Sequence, residues 1–218
     1  MSSLPSIGVL VSGSGSNLQA IIDAVEAGRI PGKIGVVISN KADAYGLVRA
    51  RNHGIPAEFL DHRSFENREA FDARLVEILR SYDIRLVCLA GFMRLLTPVF
   101  LSAFPDRILN IHPALLPSFP GTHGPRDALN YGVRFSGCTV HFLDEGIDTG
   151  PIVAQAVVPV YEDDTEESLA ARILKEEHRI YPMAIRLFLE GKLTISGKKV
   201  FTGDVCKVSD FSRRNPDA

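Results

Sequence analysis

The chain has 218 residues, of which 45% are hydrophobic and 23% charged, and its formal net charge is -2. This hydrophobic content supports a sizeable core and excludes disorder over most of the length, while the absence of a basic stripe argues against a nucleic-acid partner. No apolar stretch approaches the length of a membrane span, and the first residues do not resemble a signal peptide. Cys88 and Cys138 lie in apolar runs, which favours buried thiols over disulfides. We therefore expect a cytoplasmic globular protein without a nucleic-acid or membrane partner.

The first half of the chain alternates strand and helix patterns. Helices are predicted to end at Gly28 and Gly54, to begin with Ser64 as N-cap, and to begin at Thr97. The predicted strands are, in order, IGVLVS, KIGVVIS, AEFL, RLVCLAG and RILNIH. Because most of these strands are almost continuously apolar, the pattern is typical of a parallel sheet covered by helices.

The second half has a different pattern. The runs SGCTVHFL and PIVAQAVVPV flank the turn-rich DEGIDTG, which predicts an antiparallel pair. A long helix with Asp164 and Glu167 as a capping box should then run to Gly191, followed in residues 192–218 by a short hairpin and a polar tail. We predict an α/β fold: a single doubly wound, mostly parallel sheet with helices on both faces and an antiparallel strand pair in the C-terminal half. Residues 1–218 should form one domain with a core over about residues 7–191.

A loop rich in serine and glycine joins the first strand to the first helix. Free backbone amides at a helix N-terminus suit an anion, and Gly13 and Gly15 allow close approach. A dinucleotide is disfavoured because Leu18 occupies the position of the third glycine in the G-x-G-x-x-G fingerprint. The loop therefore predicts a phosphomonoester site, with a simple tight turn as the alternative, and the expected side-chain donors are Ser12, Ser14, Ser16 and Asn17.

Two further stretches contain residue types suited to catalysis. Asn110 and His112 lie two apart at the end of a strand, so both side chains project to the same side of the sheet. Asp144, Glu145 and Asp148 lie in the turn-rich loop, and a carboxylate beside an imidazole should raise the pKa of the histidine. The alternatives are strand-end polar residues that satisfy a turn, and a solvated acidic turn. His141 fits a structural role, and His123 a helix-entry role.

Other chemistries lack their motifs. The chain has no G-x-S-x-G nucleophile elbow, no C-x-x-C and no H-E-x-x-H. We therefore predict neither a serine hydrolase of that class nor a metal site.

The stretches SGSGSNLQAII, LAGFMRLL, LNIHPALLPSFPG and DEGIDTGPIV together resemble the phosphoribosylglycinamide formyltransferase family of purine synthesis. The resemblance covers about residues 7–191. It implies transfer of a formyl group from the co-substrate 10-formyltetrahydrofolate to the amine of 5'-phosphoribosylglycinamide (GAR), with no metal. The Asn-x-His-Pro segment and the later aspartate are shared by folate-dependent formyltransferases generally, so a formyltetrahydrofolate hydrolase is the nearest alternative.

The resemblance also implies roles for individual residues. Catalysis would fall to Asn110, His112 and Asp148, with the first two stabilising an oxyanion and the third relaying a proton. GAR would be bound by Gly15, Ser16, Asn17, Leu174, Lys175, Glu176 and Glu177. The folate would be bound by Arg68, Met93, Arg94, Leu95, Leu96, Asn110, Asp144, Glu145, Gly146, Ile147 and Asp148. The expected partners are these two small molecules, and the expected state is a monomer or a homodimer.

Overall fold

The structure, a computed structural model, describes residues 4–203, which contain nine strands and six α-helices. The strands are β1 (Ser6–Val11), β2 (Lys33–Ser39), β3 (Ala57–Phe59), β4 (Ile84–Leu89), β5 (Ile108–His112), β6 (Phe135–Phe142), β7 (Ile152–Pro159), β8 (Thr194–Ser196) and β9 (Lys199–Phe201). The helices are α1 (Ser16–Glu26), α2 (Tyr45–Asn52), α3 (Arg68–Ser81), α4 (Pro98–Ala103), α5 (Gly124–Tyr131) and α6 (Glu166–Leu189).

All nine strands belong to one sheet in the order β3-β2-β1-β4-β5-β6-β7-β9-β8. The strands from β3 to β5 in this order are parallel, whereas β6 is antiparallel to both β5 and β7. This confirms the predicted mostly parallel sheet with an antiparallel pair in the C-terminal half. The chain first winds outward from β1 to β3 and then returns to place β4 on the other side of β1. Ligands of open α/β sheets bind beyond the carboxyl ends of the strands at such a reversal.

Helices cover both faces of the sheet, as the buried strands predicted. Ile7, Val9 and Val11 of β1 point into a core shared with α1, α2, α5 and α6. Leu10 points the other way, into a core shared with α3 and α4. Because successive residues of a strand face opposite sides, one short apolar strand contributes to both cores.

The start of α3 differs from the prediction. Ser64 ends a short 3-10 turn, and α3 begins only at Arg68. The Asn67 side chain is the N-cap, since its Oδ1 accepts a hydrogen bond of 2.8 Å from the Ala70 amide. Both residue types can cap a helix, so sequence alone did not separate the two positions.

The N-cap of α6 lies one residue later than predicted. Thr165, not Asp164, is the N-cap, and it exchanges hydrogen bonds with Ser168 in a capping box. Asp164 instead forms an ion pair of 2.7 Å with Arg172, two turns into the helix. Glu167 therefore has no part in the capping box.

The C-terminal strands β8 and β9 pair as a short antiparallel hairpin at the edge of the sheet. Residues 204–218 lie outside the described residues, so the polar tail and the single-domain boundaries stay predictions. Cys88 and Cys138 are buried free thiols, as predicted. Within residues 4–203, no helix combines the length and the apolar character needed to cross a bilayer.

Candidate active site

A cavity of about 400 Å³ lies beyond the carboxyl ends of β4 and β5, within the usual size range of small-molecule sites. Its apolar walls include Leu89, Ile111 and Leu143. The structure brings all the residues expected to bind a folate together in its lining, namely Arg68, Met93, Arg94, Leu95, Leu96, Asn110, Asp144, Glu145, Gly146, Ile147 and Asp148. Residues from α3, from β5 and from the loops after β4 and β6 thus surround one space.

Several apolar side chains at this cavity remain exposed to solvent. The exposed fractions are 61% for Met93, 56% for Leu95 and 53% for Ile147. Exposed apolar groups clustered at a concave site are typical of a surface that a ligand covers. The lining therefore fits an organic ligand with apolar surface.

His112 lies at the base of the cavity and is only 3% exposed. Its Nε2 is 2.8 Å from the Phe119 carbonyl oxygen, so Nε2 carries a proton and donates it there. The other ring nitrogen, Nδ1, lies 3.5 Å from Oδ2 of Asp148. That distance is longer than a good hydrogen bond, which leaves Nδ1 able to interact with a bound molecule as well.

The backbone of Asp148 has a φ of 54°, an unusual left-handed conformation for a non-glycine residue. Its Oδ2 accepts a hydrogen bond of 2.8 Å from the Gly121 amide, and its Oδ1 is 3.6 Å from Nε2 of His141. Burial alone would raise the pKa of Asp148. The interactions with His141, Gly121 and His112 outweigh that effect and lower the pKa below its usual value. Asp148 is therefore an ionised carboxylate between two imidazoles.

The pKa of His112 contradicts the expectation drawn from the sequence. Burial lowers it, and the nearby charge of Asp148 offsets this only in part, so the pKa lies below the ordinary histidine value. The expectation of a raised pKa was wrong because the cost of burying an imidazolium exceeds the attraction of one carboxylate at 3.5 Å. In the free protein at neutral pH, His112 is therefore mainly neutral.

His141 belongs to this cluster, although the sequence favoured a structural role for it. It lies opposite Asn110 in the antiparallel pairing of β5 and β6, and its Nε2 is 3.2 Å from Nδ2 of Asn110. Its Nδ1 donates to the Phe142 carbonyl oxygen at 2.8 Å, which fixes the ring. The contact of Nε2 with the amide in turn orients Asn110. The alternating pattern of β6 could have predicted this contact only if the pairing register between β5 and β6 had been known.

The loop after β6 is held in place from two sides. Asp144 accepts hydrogen bonds from Thr149 and from the Gly146 amide, and it forms an ion pair of 2.7 Å with Lys198 in the turn between β8 and β9. Burial tends to raise the pKa of Asp144, but Lys198 and the two hydrogen bonds lower it overall. The alternative of a merely solvated acidic turn therefore does not hold for Asp144 or Asp148.

The serine- and glycine-rich loop is built around Gly15, the N-cap of α1. Its φ of 69° is left-handed, and a Cβ at this position would lie 2.7 Å from the Gly46 Cα. No side chain caps the helix, so the amides of its first turn have no side-chain acceptor. Arg49 holds the loop from behind, because its Nε donates to the Ser14 carbonyl oxygen at 2.9 Å. This geometry suits an anion.

Two of the side-chain donors expected in this loop are already used within the protein. Ser12 is buried; its Oγ donates to Asn40 at 2.6 Å and accepts from the Met93 amide at 2.8 Å. It therefore connects the loop to the wall of the neighbouring cavity. Asn17 donates to the buried carboxylate of Glu177 at 2.7 Å. Burial raises the pKa of Glu177, and the hydrogen bond from Asn17 opposes this only in part.

The other α6 residues expected near this loop differ in their burial and in their partners. Glu176 pairs with Arg179 at 2.7 Å, Leu174 is half-buried and Lys175 is exposed. Of the four α6 positions, only Glu177 has a side-chain contact with the loop among the hydrogen bonds of residues 4–203. Asn17 and Glu177 therefore form the junction between α1 and α6.

Comparison with known proteins agrees with this geometry. Residues 6–185 match the family described as Formyl transferase. The chain is similar to phosphoribosylglycinamide formyltransferase of Escherichia coli (strain K12), with 49% identity over 85% of this chain and 87% of that protein. The chain belongs to the phosphoribosylglycinamide formyltransferase family.

Further similarities extend this family relationship. The crystal structure of glycinamide ribonucleotide transformylase 1 from Symbiobacterium toebii superimposes with a TM-score of 0.91, at 59% identity over 91% of this chain and 94% of that one. The trifunctional purine biosynthetic protein adenosine-3 of Drosophila melanogaster is 48% identical over 87% of this chain, which spans only 14% of that larger protein.

Membership of this formyltransferase family implies a formyl donor derived from folate and an enzyme that acts on small molecules. The 400 Å³ cavity and its apolar lining fit such a donor. In the part of the chain that the structure describes, no group of three or more His, Cys, Asp or Glu residues could hold a metal ion. Independence of metal nevertheless stays a prediction.

Proposed function

We propose that this protein transfers the formyl group of 10-formyltetrahydrofolate to the amine of GAR, giving formyl-GAR and tetrahydrofolate in purine biosynthesis. The observation that carries the proposal is the cluster of Asn110, His112 and Asp148 at the base of a folate-sized cavity. Ser12 accepts a hydrogen bond from the Met93 amide in the wall of that cavity, and it lies in the loop before α1. The N-terminus of α1 has no side-chain cap and is suited to a phosphate. The names of the Escherichia coli and Symbiobacterium toebii relatives support the same activity.

The two substrates are assigned to adjoining regions. The folate would occupy the cavity, with its pterin closed in by the loop of residues 144–148 and its contacts made by Arg68 and residues 93–96. The phosphate of GAR would bind the amides of Gly15, Ser16 and Asn17, and residues 174–177 of α6 would contact the rest of the ribonucleotide. Monomeric or homodimeric state and a cytoplasmic location stay predictions.

The chemical step begins when the neutral amine attacks the formyl carbon and creates an oxyanion. Asn110 can donate an amide hydrogen to that oxygen, because its contact with His141 fixes the orientation of the amide group. His112 can donate from Nδ1 once protonated, since its Nε2 is already bonded to Phe119. One donor of this kind typically contributes about 3–4 kcal/mol of transition-state stabilisation.

A proton must also leave the attacking nitrogen and reach N10 of the departing folate. Asp148 is suited to accept it, directly or through a water, because it is ionised and lies beside Nδ1 of His112. The carboxylate would also stabilise the imidazolium form of His112 during the reaction. This route requires no covalent intermediate.

A direct assay tests the proposal and separates it from its nearest alternative. Purified protein is given 10-formyltetrahydrofolate with and without GAR, and both tetrahydrofolate and formate are measured. We expect tetrahydrofolate to form only when GAR is present, with an equal amount of formyl-GAR. Formate release that exceeds transfer would instead identify a formyltetrahydrofolate hydrolase.

A further inference from the structure

A second cavity, of about 380 Å³, lies where the C-terminal half of α6 meets the segment that follows α1. It is lined by Arg29, His178, Arg179, Pro182, Met183 and Arg186. None of these residues belongs to the substrate sites described above, and none carries a carboxylate. The volume falls within the range of small-molecule sites.

The positive charge of this cavity is only partly compensated. Arg179 is paired with Glu176 at 2.7 Å. The Arg29 and Arg186 side chains are exposed, and within residues 4–203 neither forms an ion pair or a hydrogen bond. Two guanidinium groups that lack an acidic partner among the described residues therefore face one concave space, where they attract anions.

His178 is a half-buried member of the lining. Its Nε2 is buried and has no hydrogen-bond partner within the described part of the chain. Burial lowers the pKa of His178, partly opposed by Asp23 and reinforced by Arg49, so the imidazole is mainly neutral. A neutral imidazole in the lining adds no negative charge that would repel an anion.

This cavity is separate from the serine- and glycine-rich loop. That loop precedes α1, whereas Arg29 follows it, and the 11 residues of the helix span roughly 16 Å at 1.5 Å per residue. The two places nevertheless share a structural element. Glu177, which contacts the loop through Asn17, immediately precedes His178 on α6.

We propose that this cavity is a second anion-binding site that takes a small organic phosphate. Arg29 and Arg186 would bind the phosphate oxygens, since the planar guanidinium group matches phosphate geometry. Pro182 and Met183 supply apolar contact for the rest of the molecule. The volume of about 380 Å³ exceeds what inorganic phosphate alone would fill.

A titration of the full-length, ¹⁵N-labelled protein with ribose 5-phosphate tests this site directly. Amide shifts of Arg29 and of residues 178–186 should change and saturate along their own binding curve, distinct from any change in residues 13–18. Inorganic phosphate, titrated in parallel, should bind the same residues at least about tenfold more weakly. The double variant Arg29→Gln/Arg186→Gln should weaken the ribose 5-phosphate curve at this site at least about tenfold.

The matched control is Arg80→Gln/Arg85→Gln, which removes two exposed arginines elsewhere and should leave the curve unchanged. The single variants Arg29→Gln and Arg186→Gln are measured as well, in case the double variant folds poorly.

Absence of saturable shifts at residues 178–186, or an equal loss in the control, would overturn the proposal. Equal affinity for inorganic phosphate would overturn the assignment to an organic phosphate. Absent changes at residues 13–18 would instead count against the proposed GAR site.

Discussion

The two halves of the proposed active site use different parts of the chain. At the start of α1, the proposed anion site consists of backbone amides that follow the left-handed Gly15. At the end of β5, the proposed catalytic cluster consists of the side chains of Asn110, His112 and Asp148, with His141 in contact with Asn110. Changes of shape should therefore impair the first region, while changes of charge or hydrogen bonding should impair the second.

The largest effect should come from the side-chain region. Asn110→Ala and His112→Ala each remove a donor to the oxyanion, so we expect turnover to fall about a hundredfold or more, with little change in substrate affinity. Steady-state kinetics with both substrates measures this. Turnover within a few-fold of the parent protein would exclude the oxyanion role, and circular dichroism would check that each variant is folded.

Asp148→Asn tests the electrostatic part of the same cluster. Turnover should fall by about two orders of magnitude, because a proton acceptor is lost. In the parent protein, burial lowers the pKa of His112 and the charge of Asp148 partly offsets this effect. Removal of that charge should therefore lower the pKa of His112 further. NMR titration of His112 measures the second effect. An unchanged pKa would mean that the two side chains do not interact electrostatically, whatever happens to activity.

Gly15→Val tests the backbone region. The substitution combines a left-handed φ with a contact of 2.7 Å to the Gly46 Cα, so the loop should shift and the KM for GAR should rise about tenfold or more. Folate binding should barely change. Gly28→Val is the control, because Gly28 has the same φ of 69° but open space around it and lies at the other end of α1. Equal loss of both ligands in Gly15→Val would indicate a damaged fold instead.

The smallest effect should follow from loosening this loop without changing its glycines. Arg49→Met removes the hydrogen bond to the Ser14 carbonyl oxygen, and we expect the KM for GAR to rise about threefold to tenfold at unchanged turnover. Arg49→Lys keeps the charge but not the geometry, so its KM should lie in between. A loss of turnover with unchanged KM would mean that Arg49 acts on the chemical step. The proposed difference between the backbone region at α1 and the side-chain region at β5 would then not hold.

The neighbourhood of Asn110 and His112 could be predicted from the residues themselves, whereas the residues assigned to the folate were expected only from the family resemblance. Asn110 and His112 lie two apart on one strand, and the residues proposed to bind the folate come from short continuous stretches. The helix starts were less accessible, since Ser64 and Asn67 are equally good capping residues and only the position of α3 on the sheet selected Asn67. His141 was missed because its role depends on which residue it faces across β5.

The sequence by itself determined the order of strands and helices, the glycine-dependent loop and the residue types of the proposed catalytic cluster. These depend on apolar periodicity and turn chemistry, which act over a few neighbouring residues. Only the tertiary structure decided that the Ser12 hydroxyl forms hydrogen bonds with Asn40 and the Met93 amide, and that the pKa of His112 is lowered. Both depend on burial and on partners distant in the chain, and the surrounding sheet and loops create these conditions only when the whole domain has folded.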